Sequence, residues 1–141
     1  MSSYFTIKEL TYSATAVKNG IDNTPSLETI THLKELIEFL NPIREAWGSP
    51  IKVTSGYRSY KVNQLVGGSA TSAHRYGWAS DLVPVKGTVE ELFKFIANYL
   101  KENNLLFDQL IMEKSSTSKW VHLGLKNKSG KQRKQIFNLN V

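Results

Sequence analysis

Apolar residues recur at spacings of three and four through SLETITHLKELIEFLNPIREAWG, where Leu27, Ile30, Leu33, Ile37 and Leu40 share one stripe and Ser26 stands as N-cap. The spacing predicts an amphipathic helix that breaks or is re-capped where Asn41 precedes Pro42, then continues briefly to Trp47. A second helix is predicted in TVEELFKFIANYLKENN. It opens on a capping box, Thr88 with Glu91 three residues on, and carries Leu92, Phe95, Ile96, Tyr99 and Leu100 along one face. Between the two, SPIKVTSGYRS reads as a β-branched strand, Ile51 to Thr54, running into a glycine turn. YKVNQLV reads as a short helix ending at Gly67-Gly68, SATSAHRYG as a polar loop, and WASDLVPV as a buried strand that stops at Pro84. The last third holds three candidate strands, FDQLIME, KWVHLGL and KQIFNLN, separated by the polar turns KSSTS and KNKSGK. Helices early and strands late predict an α+β fold, with helices packed on one face of a mostly antiparallel sheet.

Composition narrows the picture. A chain of 141 residues, 40% hydrophobic, can bury one real core and is too short for two, so residues 1–141 are expected to form a single domain. A monomer is expected, although length does not decide it. There is no cysteine, so any metal must be held by His, Asp or Glu. The N-terminal MSSYFTIKELTYSATAVKNG lacks the basic start and apolar run of a secretory signal, and no window approaches the roughly 18 apolar residues of a membrane span. The chain is therefore expected to be made soluble in the cytoplasm without stable membrane insertion. Release through a membrane pore is compatible with that. A net charge of +6 favours an anionic partner without choosing among nucleic acid, acidic wall polymer and membrane surface. The run KNKSGKQRKQ carries five of the 18 basic residues and reads as a solvated hairpin or tail over 126–141; with no nucleic-acid motif and no interleaved aromatics, nucleic acid is not an expected partner.

Candidate chemistry gathers on three side chains: His74 in the polar loop, Asp81 in the strand after it, and His122 in KWVHLGL. Two imidazoles and a carboxylate make a set suited to one Zn²⁺ ion with a fourth position left for water. Taken alone, His122 on a strand equally reads as a satisfied core histidine, and His32, one position off the helical stripe, as a boundary residue. If DQLIME and KWVHLGL pair through KSSTS, one register sets Glu113 opposite Trp120 and Ile111 opposite His122. Glu113 and His122 then share a face as diagonal neighbours, where a general base would sit. The bland alternative is a solvated glutamate at a strand end.

The blocks SGYRS, VNQLVGGS, SAHRYGWASD, FDQLIME and WVHLGL, in this order and spacing, resemble the zinc D-Ala-D-Ala carboxypeptidase family of peptidoglycan metallopeptidases. Ser72, His74, Gly77, Ala79, Asp81, Trp120 and His122 fill that family's SxHxxGxAxD and WxH pattern, and the likeness runs from about Tyr4 to Leu125. The resemblance implies that His74, Asp81 and His122 are zinc ligands, that Arg58 faces substrate peptide or carboxylate oxygens, and that Ser72 holds a polar substrate group. Several relatives carry the catalytic glutamate three residues before the last histidine; here that position is Lys119, and Glu113 is the expected base. The implied activity is hydrolysis of an amide bond in the stem peptide or cross-bridge of the cell wall, as a D,D-carboxypeptidase or an endopeptidase, in a phage endolysin or a bacterial enzyme. The alternative is a zinc-containing wall-binding module without catalysis.

Overall fold

A computed structural model describes residues 3–141. Two short helices, α1 (Ile7–Thr11) and α2 (Ala14–Asn19), precede the long helix α3 (Leu27–Trp47) and strand β1 (Ile51–Ser55). Helix α4 (Tyr60–Leu65) and a 3-10 turn (Ala73–Tyr76) lead into β2 (Ala79–Pro84) and helix α5 (Val89–Glu102). Three strands follow: β3 (Gln109–Lys114), β4 (Lys119–Gly124) and β5 (Gln135–Asn140). They complete one sheet in the order β1-β2-β4-β3-β5, antiparallel except where β5 runs parallel to β3. This is the α+β architecture expected from late strands.

Alternation along the strands separates the two faces of the sheet. Leu82, Leu110, Val121 and Leu123 turn toward α3 and α5 and join Leu33, Leu36, Leu40, Leu92, Ile96 and Leu100 in one buried cluster. Asp81, His122, Ile111 and Glu113 turn to the opposite face, the face the site occupies. The capping box of α5 is made in both directions, with Thr88 Oγ accepting from Glu91 N–H and Glu91 accepting from Thr88 N–H. Among the described residues, no helix is long and apolar enough to cross a membrane.

Four features depart from the sequence pattern. Helix α3 does not break at Asn41-Pro42. Proline removes only one ladder bond there, while Leu36, Leu40 and Ile43 bury the helix on both sides and Asn41 Oδ1 takes the Tyr4 N–H at 2.9 Å. Leu27, assigned to the apolar stripe, is 85% exposed, and Leu36 holds the buried position instead. The polar loop before β2 contains the 3-10 turn. Finally, residues 126–141 form no hairpin with β4. Arg133 forks onto the buried carboxylate of Asp108, through Nε at 2.8 Å and Nη2 at 2.9 Å, and Lys134 and Gln135 bond to Phe107 and Asp108 carbonyls. These contacts carry the chain past β4 to the start of β3, beside which it runs parallel as an edge strand.

Candidate metal centre

The polar loop folds as it does because its small residues supply the stops. Ser72 caps the 3-10 turn, its Oγ accepting from His74 N–H at 3.2 Å, and Gly77 ends it in a left-handed conformation at φ 76°. A Cβ at Gly77 would press on Thr29 at 3.0 Å, so glycine also lets the turn close against α3. The turn lays His74 over β2. Its Nδ1–H donates to the Gly56 carbonyl at 2.8 Å, which fixes the tautomer and leaves Nε2 as a lone pair. That lone pair faces Asp81 Oδ1 at 3.2 Å.

The sheet supplies the rest. Asp81 on β2 stands opposite His122 on β4, and His122 Nδ1 also lies 3.2 Å from Asp81 Oδ1. The three donor atoms lie within 4.8 Å of one another, and all three residues are buried. A zinc tetrahedron with bonds near 2.0–2.1 Å has edges of about 3.3 Å. An unprotonated imidazole nitrogen pointing at a carboxylate oxygen is repulsive unless a cation lies between them. The residues therefore fit a metal ion on donor chemistry and on spacing.

Electrostatics agree with that fit. Burial pushes the His74 imidazole below its ordinary range, against the pull of Asp81, and so keeps it neutral as a ligand must be. Burial alone would raise Asp81, but His74 and His122 beside it hold its carboxyl far below the usual carboxylate range, ionised as a ligand carboxylate must be. On acidification His74, and not Asp81, is then a group at which protons compete for the site. Bound zinc is expected to stay in place through neutral pH and to leave once the pH falls below the ordinary imidazole range, near 6.5. Zinc retained after dialysis at a series of pH values checks this; retention unchanged down to pH ~4 would contradict it.

Two further side chains converge on the ligands. The β3–β4 hairpin has the expected register, Glu113 opposite Trp120 and Ile111 opposite His122, and Glu113 Oε1 lies 3.7 Å from His122 Nδ1. Burial, with the Asp81 charge behind it, raises the Glu113 pKa above that of an ordinary glutamate. Arg58, half-buried after the bulge that ends β1, bonds Ser55 Oγ at 3.0 Å, Asn63 Oδ1 at 3.4 Å and Asp81 Oδ2 at 3.2 Å. Three of the five guanidinium N–H donors are thereby engaged, and two are left. A cleft of about 710 Å³ opens over this group, lined by Arg58, Ser72, His74, Glu113 and His122, with Asp81 buried beneath.

The model of one protein family, described as Peptidase M15, matches residues 3–124. The chain belongs to the peptidase M15 family. Members of this family are zinc-dependent metallopeptidases, which places the chain among hydrolases and bears out the likeness carried by its motifs. No curated protein matches the chain.

Within this M15 chain, the six residues put forward from the sequence lie together. What the sequence did not reveal are their supports. Asn63 lies inside the VNQLVGGS block, where it receives Arg58 and donates to Ser69 O at 2.8 Å; a Cβ on Gly68 would strike its Oδ1 at 2.1 Å. Gly56 is buried, and a Cβ there would meet the Leu10 carbonyl at 2.2 Å, the same carbonyl that takes the Tyr57 N–H. Gly56→Ala is expected to displace the carbonyl that orients His74 and to weaken zinc binding by about 10–100-fold. A competition titration against a chromophoric chelator measures this, and unchanged affinity would show that His74 does not depend on Gly56.

Proposed function

We propose that the protein is a zinc peptidase that hydrolyses an amide bond in the peptide part of bacterial peptidoglycan. The observation that carries the reading is the position of Glu113, a half-buried carboxylate beside a buried His-Asp-His group at the floor of an open cleft. His74 Nε2, Asp81 Oδ1 and His122 Nδ1 would hold one zinc ion. Zinc at such a site supplies Lewis acidity, acidifying water and polarising a carbonyl.

The chain's own residues do the rest. Glu113 takes a proton from the water that adds to the amide carbon and passes it to the leaving amine as the C–N bond breaks. Arg58 holds Asp81 with one N–H and offers its free N–H groups to the developing oxyanion or to a substrate carboxylate. Ser72 Oγ accepts from the turn, and its O–H remains free to donate to a polar substrate group. The net charge of +6 suits wall peptides, which carry free carboxylates. Carboxypeptidase action at a terminal D-Ala-D-Ala and endopeptidase action within the stem or cross-bridge would use these same residues, with the cell wall as the place of action in either case. A wall-binding module that kept the metal and lost the chemistry has no use for a base at Glu113.

Purified peptidoglycan digested with and without a chelator, with mass analysis of the fragments, tests the reading and identifies the bond. Chelator-sensitive release of peptide with new amino groups is expected. Zinc-loaded protein that releases nothing from several wall types would leave the binding module in its place.

A further inference from the structure

The cleft does not end at the metal ligands. Asp81, His122, Ile111 and Phe137 are successive partners across β2, β4, β3 and β5, so they form one row on one face; Glu113 and Leu139 form the next. By the same alternation Val141 follows just past the end of β5, where its N–H donates to the Lys114 carbonyl. Phe137, Leu139 and Val141 all line the cleft and are 39%, 41% and 63% exposed. Among the described residues, no helix packs on this face of β5. An edge strand with three apolar side chains open to water runs against the usual protection of sheet edges by charge or burial. These residues add little to the core, yet the fork of Arg133 on the buried Asp108 carboxylate holds the segment beside β3. The strand also lies outside residues 3–124, the part that matches the family.

We infer that β5 is a substrate subsite, in which Phe137, Leu139 and Val141 receive an apolar side chain of the bound peptide some distance from the cut bond. The inference rests on the peptidase reading for its occupant. Phe137 lies two strands from His122, about 10 Å at the usual spacing, and an extended peptide advances about 3.3 Å per residue. The side chain received is therefore roughly three residues from the scissile bond. The substrate is an extended peptide, longer than a terminal dipeptide, and the C-terminal strand selects for its apolar residue. The opposite wall, Gly67 to Ser72, is polar and small, which leaves room for backbone.

Synthetic wall-type peptides that share one cleavable bond and differ only in alanine or glycine about three positions from it, placed to either side, test this. The wild-type zinc protein is expected to favour alanine on one side by about tenfold in kcat/KM. A Phe137→Ser/Leu139→Ser variant should retain its zinc and cleave both peptides at similar rates; the two single variants read the same ratio if the double one does not fold. Ile136→Ser, on the opposite face of β5, should keep the preference. Equilibrium binding of the same peptides to Glu113→Gln reads the preference without turnover. Equal kcat/KM for the two peptides, or a preference that survives the double variant, would overturn the subsite. Preferential binding with no cleavage by the wild type would retain the subsite and defeat the peptidase reading alone.

Discussion

Glu113→Gln is expected to keep zinc at the wild-type level and to lower kcat by about 10²–10⁴-fold. The substitution preserves size and removes only the ability to accept a proton. Glu113 is not among the three residues whose donor atoms converge, so metal content should not follow activity. The side chain lies opposite Trp120 and 3.7 Å from His122 Nδ1, close enough to serve a water at the ligands and too poorly placed to replace one of them. The acid limb of the wild-type kcat/KM profile should report the ionisation of Glu113, and Glu113→Gln should lack that limb. Loss of zinc in the variant would make Glu113 a ligand. Turnover at the wild-type rate would place the base elsewhere.

Asp81→Ala is expected to remove both the metal and the activity, and also to destabilise the metal-free fold. Asp81 Oδ1 faces both imidazoles while Oδ2 holds Arg58, so one carboxylate joins the ligand set to its support. Its loss leaves the half-buried Arg58 guanidinium without a counter-charge. Breaking such a pair costs about 3–5 kcal/mol, and the partial exposure of Arg58 points to the lower end. Denaturant titration of wild type and variant, both stripped of metal, isolates this cost from the loss of ligand binding. Stoichiometric zinc in Asp81→Ala would remove Asp81 from the ligand set.

The legibility of this chain in its sequence follows the range of the interactions involved. Helix α5 was legible because its capping box and apolar face are local, and the β3–β4 register because a short polar turn constrains it. His74, Asp81 and His122 stood out because the chain has only three histidines and no cysteine, and because their blocks match a family pattern. Helices α1 and α2, at five and six residues, are too short to show periodicity. The Gly56 carbonyl that orients His74 belongs to the backbone, which carries no side-chain signature. The course of β5 depends on Arg133 reaching Asp108, 25 positions away in sequence, and a basic run gives no hint of one arginine drawn to a buried carboxylate. At Asn41-Pro42 the local preference against helix was readable and tertiary burial overrode it.

The most direct test of the central claim is a reconstitution. Protein stripped with a chelator would be titrated with zinc while new amino groups released from peptidoglycan are counted. Activity that rises from background and breaks at one equivalent is the predicted result. Release by the stripped protein, or none at any zinc concentration although zinc binds, would contradict a single-zinc hydrolase built on His74, Asp81 and His122.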